Sequence, residues 1–334
     1  MLSESMRRKL FYNTVMSQCF SSDGSCLVAG SLYGYVAVFE ISKILRPLRT
    51  EYESRRPSYH IEAHPDSHVD SMVSTENFLV TGSIGEICGW DWKSVTSSKA
   101  EKTKASWTIK IPSENDSYDG AVVFSLAYCS ANNLLYAGCN DSKIYVFSLE
   151  DGKLVTTLEG HTRFIHGLSL LDSGTQLASC SEDGTVRLWD LRKKENTNVL
   201  TPNLVDNIHR SRLGEWIGAV DFTEDWLLCG GGPKLSLWHM RTMQPATVFD
   251  LPDEGIYVAK IYEERIIAAG LASHVYNLTY QGEMLSSIPT SSDTTYTVVY
   301  QETPQRLFSI GGASNFLDIC TNCNYRELSV QFAP

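Results

Sequence analysis

The sequence has no apolar run approaching the roughly 18 residues that a helix needs to cross a bilayer. This absence excludes a helical membrane protein, and no membrane partner is expected. Basic charge is also scarce: 28 lysines and arginines stand against 39 aspartates and glutamates, a net charge of −11. Affinity for nucleic acid comes mainly from cations that neutralise phosphates, so an acidic body argues against direct RNA or DNA binding and leaves RNA at most an indirect partner. The first residues, MLSESMRRKLFYNTV, carry basic side chains but no apolar core of a secretory signal, and the chain is expected to stay inside the cell. Cysteine pairs at metal spacing are almost missing as well. Nine cysteines stand singly, mostly beside apolar residues, an odd number that suits reduced thiols used as small hydrophobes. Cys320 and Cys323 in CTNC are the local exception. Zinc takes four ligands and no second pair follows, so a turn at a strand end is expected there in place of a zinc or redox site.

Helical periodicity is nearly absent too. The stretch SESMRRKLF alone reads as a short helix, within an N-terminal arm of residues 1–12 placed outside the main fold. What fills the remaining chain is a repeated unit: a short apolar strand ending in a small residue, a tight polar turn, and a second strand with a bulky residue near its end. The units are CLVAGSLYGYVAVFE, FLVTGSIGEICGWDW, LLYAGCNDSKIYVFSL, QLASCSEDGTVRLWDL, WLLCGGGPKLSLWHM, IIAAGLASHVYNLTY and LFSIGGASNFLDICT. Aligned on Gly30, Gly82, Gly138, Cys180, Gly230, Gly270 and Gly311, they recur at separations of 52, 56, 42, 50, 40 and 41 residues. A period of about 40 to 45 residues belongs to a WD-repeat blade, and the longer gaps predict insertions near residues 42–60, 93–118 and 193–213. Each unit has a further apolar strand before it, such as FIHGLSLL, and another after it, such as KLVTTLEG. Four antiparallel strands per unit, seven units and no helical layer predict an all-β fold, a seven-bladed WD-repeat β-propeller spanning residues 13–334 as one domain. The final stretch YRELSVQF, residues 325–332, supplies the last unit with its own fourth strand, so closure needs no strand lent by the N-terminus.

The segment LASCSEDGTVRLWDLR, residues 177–192, holds Ser179 and Asp183 downstream of His161 and raises the question of a serine hydrolase. A triad also needs an oxyanion hole and an exposed nucleophile, usually on a G-x-S-x-G elbow between strand and helix, which is absent. The segment resembles a WD repeat, and that resemblance assigns His161, Ser179, Asp183 and Trp189 to a buried hydrogen-bonded chain. Its chemistry is satisfaction: a buried indole N–H needs an acceptor, a hydroxyl bridges, and a carboxylate orients the imidazole. His64 with Trp90 or Trp92, and Asp141 with Phe147, are fragments of the same chain, while the last two units lack it and are expected to rely on apolar packing. The SEDGTVRLW turn differs from a sialidase Asp box, since no central set of Arg, Tyr and Glu accompanies it. CGGGP, residues 229–233, leads into a strand and not a helix, so it reads as a hairpin and not a phosphate loop. No catalytic residue, cofactor or metal site is expected.

Several phrases are more particular: AHPDSHVDSMVST, EWIGAVDFTEDWLLCGGGPKLSLWHMR and TNCNYRELSVQF, together with GHTRFIHGLSL and EDGTVRLWDLR. In register along nearly the whole chain they resemble the WD-repeat sixth-subunit family of the THO complex, part of the mRNA-export assembly TREX. The resemblance implies a nuclear, non-enzymatic propeller that joins other THO/TREX subunits, including coiled-coil ones, and supports packaging and export of messenger RNA. A competing function comes from WDLR, which is similar to the box by which some WD proteins dock on the adaptor of cullin-four ubiquitin ligases, with Arg192 as the docking residue. Two basic islands in the acidic body are candidate contacts for acidic partner helices: Lys43, Arg46, Arg49, Arg55 and Arg56, and Lys193, Lys194, Arg210 and Arg212.

Overall fold

The computed structural model describes residues 4–45, 55–97, 103–112, 120–171, 173–252 and 254–333. Among them, 28 strands form seven four-stranded antiparallel sheets in which sequence neighbours are sheet neighbours. These are the blades of a seven-bladed β-propeller. In chain order they cover residues 15–62, 71–110, 123–158, 165–200, 217–248, 256–289 and 295–331. Blades 7, 1 and 2 belong to one compact unit, residues 1–120 with 288–334, and residues 121–287 form a second unit holding blades 3 to 6.

The second strand of each blade carries the repeat's apolar run, and it is buried along its length, as at Cys26–Ser31 and Leu307–Gly312. A strand covered on both faces has no polar alternation, which is why these segments read as continuous hydrophobic runs. The small residue near its end makes room for the next blade. A Cβ on Gly30 would fall 2.7 Å from Val69 Cγ1, in the segment leading into blade 2, and one on Gly311 2.8 Å from Val15 Cγ1 of blade 1. Blade 4 reverses the arrangement: Cys180 pairs with Gly167 of its first strand, where a Cβ would meet the Cys180 sulfur at 2.9 Å. Fourth strands such as Glu195–Leu200 are largely exposed and polar. In blades 1, 2 and 4 the fourth strand, at Tyr59–Glu62, Trp107–Lys110 and Glu195–Leu200, lies in or overlaps the three long gaps. Those gaps therefore hold blade as well as loop.

First strands open with a bulge in six blades. The register shifts at Val15/Ser17, Ile165/Gly167, Ile217/Ala219, Ile256/Val258 and Thr295/Thr297, and in blade 3 opposite Gly138/Cys139. Each shift takes one residue out of the ladder's register, respectively Met16, His166, Gly218, Tyr257, Tyr296 and Phe124, and at the five that are not glycine it re-aims a side chain.

Blade 7 is built from its own four strands, ending at Leu328–Gln331, and blade 1 likewise. Side chains and backbone join the two. Ser309 Oγ donates to Gln18 Oε1 (2.5 Å), Gln301 Nε2 to Gly24 O (3.3 Å), His60 Nε2 to Phe332 O (2.7 Å), and Gln331 N to Arg55 O (2.7 Å). The N-terminal helix α1 (Glu4–Phe11) is not a free arm: Leu10 is fully buried with Val15, Leu27, Phe39 and Phe332. Two further one-turn helices, α2 (Ile41–Ile44) and α3 (Trp92–Val95), correct the expectation of a single helix. Four residues are too few to show a 3.6-residue period. Each instead buries two side chains, Ile41 with Ile44 and Trp92 with Val95, and Asp91 caps α3 by accepting from Lys93 N at 3.1 Å.

Candidate functional site

In blade 4, Trp189 lies on strand Val186–Asp190 and Ser179 on the adjacent strand Gln176–Ser181. A bulge between Leu188 and Trp189 opens the ladder to the fourth strand at that point. Trp189 Nε1 donates to Ser179 Oγ (2.9 Å), and His161 Nε2 lies 2.8 Å from the same hydroxyl. His161 Nδ1 reaches Asp183 Oδ2 at 2.8 Å. The donor order assigns the rest: the hydroxyl, already accepting from the indole, gives its proton to Nε2, and the imidazole proton sits on Nδ1 facing the carboxylate. Asp183 also accepts from Thr162 N (3.0 Å), Thr185 N (2.9 Å) and Thr185 Oγ1 (2.6 Å). Burial pushes its carboxyl upward, but the bonds from His161, Thr185 and Thr162 outweigh burial and hold it well below the usual carboxylate range. Ser179 is fully buried and its hydroxyl is committed on both sides, so no substrate reaches it. The four residues form a clasp that fixes the blade's turn to its core.

Blade 2 corrects the view that only fragments of this clasp occur elsewhere. His64 Nε2 lies 2.8 Å from Thr81 Oγ1, Trp90 Nε1 donates to the same oxygen at 3.0 Å, and His64 Nδ1 faces Glu86 Oε1 at 3.1 Å. Threonine replaces serine, and a third-strand glutamate replaces the turn aspartate. Trp90 takes the position, while Trp92 Nε1 donates to Thr75 O (3.2 Å). His64, Glu86 and Cys88 also lie close enough to hold a metal ion. Both His64 nitrogens are already engaged, Glu86 Oε2 accepts from Lys110, and the Cys88 thiol, pushed upward by burial, contacts Thr108 Oγ1 at 3.5 Å. The His64 and Glu86 Oε1 atoms thus serve the clasp, while Glu86 Oε2 and Cys88 are engaged by Lys110 and Thr108.

The other blades diverge. In blade 3, Asp141 accepts from Tyr145 Oη (2.6 Å), and Tyr145 stacks on Phe147. In blade 5, Trp238 Nε1 donates to Ser236 Oγ (2.8 Å). Blade 7 does not rely on apolar packing alone. Asp318, 2% exposed, accepts from Ser291 N, Ser291 Oγ and Ser329 Oγ, each at 2.6 Å, and from Arg326 Nη1 at 3.4 Å. Cys320 is buried at the end of the same strand, Phe316–Cys320, and Cys323 lies in the turn beyond it.

Of the basic residues singled out in the sequence, Arg46 and Arg49 lie outside the described residues. Arg55 and Arg56 are exposed. Arg192 is 69% exposed along its side chain, but its guanidinium grips Asp190 of the same segment, Nε to Oδ1 at 3.1 Å and Nη2 to Oδ2 at 2.9 Å. This pairing lowers the Asp190 carboxyl to about 2. Arg210 is not a surface contact. It is buried, and its guanidinium donates to the carbonyls of Gly231 (3.0 Å), Gly232 (2.7 Å) and Pro233 (3.1 Å), closing the CGGGP hairpin. The Pro233 carbonyl also accepts from Gly231 N at 3.2 Å, and one planar guanidinium supplies donors to all three adjacent carbonyls of the tight turn. Arg210→Met keeps the stem but withdraws the guanidinium's hydrogen bonds from the three carbonyls, and a loss of about 2–3 kcal/mol is expected in denaturant unfolding.

A pH effect follows from the same buried groups. Burial lowers the imidazoles of His64 and His166 below 6.5, so below that pH the unfolded chain takes up protons that the folded chain refuses. Stability should therefore fall as pH drops from 7 toward 5. Asp70 acts in the opposite sense, because burial raises it to about 6 and the folded form gains a proton below that value. The slope of unfolding free energy with pH should be shallower in His64→Gln than in wild type, and equal slopes would remove His64 from the account.

A family model described as WD domain, G-beta repeat matches residues 152–190, the span that ends in the blade 4 clasp. Similar proteins extend much further. The chain is 34% identical over 326 residues to a Drosophila melanogaster protein named THO complex subunit 6, covering 97% of this chain and 90% of that one. It is 35% identical over 327 residues to the Danio rerio THO complex subunit 6 homolog, covering 97% and 99%. Against the Homo sapiens THO complex subunit 6, identity is 32% over 323 residues, covering 96% and 93%.

Proposed function

The chain belongs to the THO complex subunit 6 family, and from that premise we propose that it is a non-catalytic propeller that holds THO subunits together in the nucleus. Through those protein contacts it supports messenger RNA packaging and export. The observation that carries this reading is the extent of similarity: about a third of residues are identical across nearly the full length of relatives that bear the subunit's name. The geometry supports it. The one serine, histidine and aspartate constellation read from the sequence is buried and structural, and an acidic body with 39 carboxylates against 28 cations suits protein partners better than RNA. Exposed Arg55 and Arg56, with Arg46 and Arg49 nearby in sequence, are the contacts we propose for acidic faces of partner helices, coiled-coil subunits among them.

Affinity purification of the tagged chain from nuclear extract, followed by mass spectrometry, tests the reading. THO subunits should be recovered. A cullin and its adaptor in their place would favour docking through Arg192, a role that would require the guanidinium to leave Asp190. Reversing Arg46, Arg49, Arg55 and Arg56 to Glu should leave the melting temperature nearly unchanged and weaken THO recovery, most at low ionic strength. Undiminished recovery at every salt concentration would remove this island as a contact.

A further inference from the structure

The bulges that open the first strands of blades 3, 4 and 6 re-aim Phe124, His166 and Tyr257 out of the sheet ladders. In blade 5 the bulge residue is Gly218, and the ring of Trp216 lies over it: a Cβ there would fall 2.6 Å from Trp216 Cζ3. With Phe164 these side chains make a continuous ladder. Phe164 and Phe124 are 6.0 Å apart between centroids, Phe124 and His166 5.9 Å, His166 and Trp216 6.4 Å, and Trp216 and Tyr257 5.2 Å in a stacked pair. All five rings belong to the unit of residues 121–287. None is fully buried. Phe164 is 42% exposed, and Leu271, 41% exposed, extends the apolar strip past Gly255. A single exposed aromatic is ordinary, but rings from four successive blades in one continuous strip make a surface.

The ladder's border is acidic. Glu182 N donates to Phe164 O at 2.9 Å, exposed Glu215 precedes Trp216, and Glu254 precedes Gly255, against which Trp216 and Leu271 pack. Arg163, beside Phe164, is the basic neighbour at that end. Glu254 is half-buried, and its Oε2 atom is closed to solvent with no hydrogen-bond partner, so a donor seated on the strip would satisfy this oxygen once the side chain turns outward. Burial holds His166 below its usual value, which leaves a neutral ring at pH 7.

We propose that this aromatic ladder is a docking surface for an extended, arginine-bearing segment of a partner protein. Guanidinium groups stack on aromatic faces and pair bidentately with carboxylates, and the surface offers both. An extended chain sets every second side chain about 7 Å apart, close to the spacing of the rings. Single-stranded nucleic acid also stacks on aromatic platforms, but the three bordering carboxylates oppose its phosphates. The surface is distinct from the Arg55 and Arg56 island, and the inference does not depend on THO membership.

Fluorescence anisotropy with a labelled twelve-residue peptide of alternating arginine and alanine tests it, with a glutamate–alanine peptide and a twelve-nucleotide oligouridylate as comparisons. The arginine peptide should bind, and the other two should not. Trp216→Ala should weaken binding about tenfold, and Glu254→Gln, which preserves shape, several-fold, while Arg55→Glu with Arg56→Glu should not weaken it. Unaltered melting of Glu254→Gln guards against a folding artefact should Trp216→Ala prove unstable. No binding of the arginine peptide, equal binding by Glu254→Gln, or preferential binding of oligouridylate would overturn the proposal.

Discussion

Trp189→Ala is expected to destabilise the protein by about 3–5 kcal/mol, the range for removing a large aromatic side chain from a core. The indole is 2% exposed and packs with Tyr136, Ile144, Val146, Leu158 and Leu168. Its loss leaves a cavity between blades 3 and 4 and also withdraws the donor that Ser179 Oγ accepts. The remaining Ser179 to His161 to Asp183 chain then has a buried hydroxyl with an unused lone pair. Ser179→Ala should cost less, about 1–3 kcal/mol, because it removes no volume worth the name but strands the indole N–H and His161 Nε2. Equilibrium urea unfolding measures both. A Trp189→Ala midpoint indistinguishable from wild type would remove the clasp from the account of stability.

Asp318→Ala should be comparable, at about 3 kcal/mol or more. The carboxylate is buried in blade 7, where it gathers the backbone N–H and hydroxyl of Ser291, the hydroxyl of Ser329 and the guanidinium of Arg326. Truncation leaves an amide and two hydroxyls without their acceptor and a cation without its anion, and breaking one partner of a buried set costs more than the set is worth intact. The urea unfolding midpoint should fall accordingly. Asp318→Asn retains two of the acceptor positions and should recover part of the loss. Equal melting of wild type and Asp318→Ala would show that apolar packing alone holds blade 7.

The fold was legible because its determinant repeats. A buried second strand needs a continuous apolar run, and the approach of the next blade needs a small residue near its end, so Gly30, Gly138, Gly230 and Gly311 fall in register along the chain. The blade 4 clasp was legible for a similar reason: His161, Ser179, Asp183 and Trp189 follow the spacing of a WD repeat. The blade 2 clasp was not, since Thr81 and Glu86 do the same work with other side chains from another position. Asp318 looked like one polar residue in an apolar strand, and its partners, Ser291 and Ser329, lie 27 and 11 residues away. Arg210 looked like a solvated cation in a loop because nothing local reveals that the carbonyls of residues 231–233 converge on it. The aromatic ladder is not legible in the sequence because Phe124, His166 and Tyr257 lie in separate repeats and are brought out by bulges, a feature of strand pairing and not of sequence pattern.

The buried histidine, serine and tryptophan chain serves the fold, and we propose that function resides in surface contacts. The most direct measurement is recovery of THO subunits by a tagged His161→Gln, Ser179→Ala double variant, purified well below its melting temperature, beside wild type. A lowered melting temperature with THO recovery equal to wild type is the predicted result. Lost recovery by a variant that melts like wild type would contradict the account, because it would give the buried chain a functional role apart from stability.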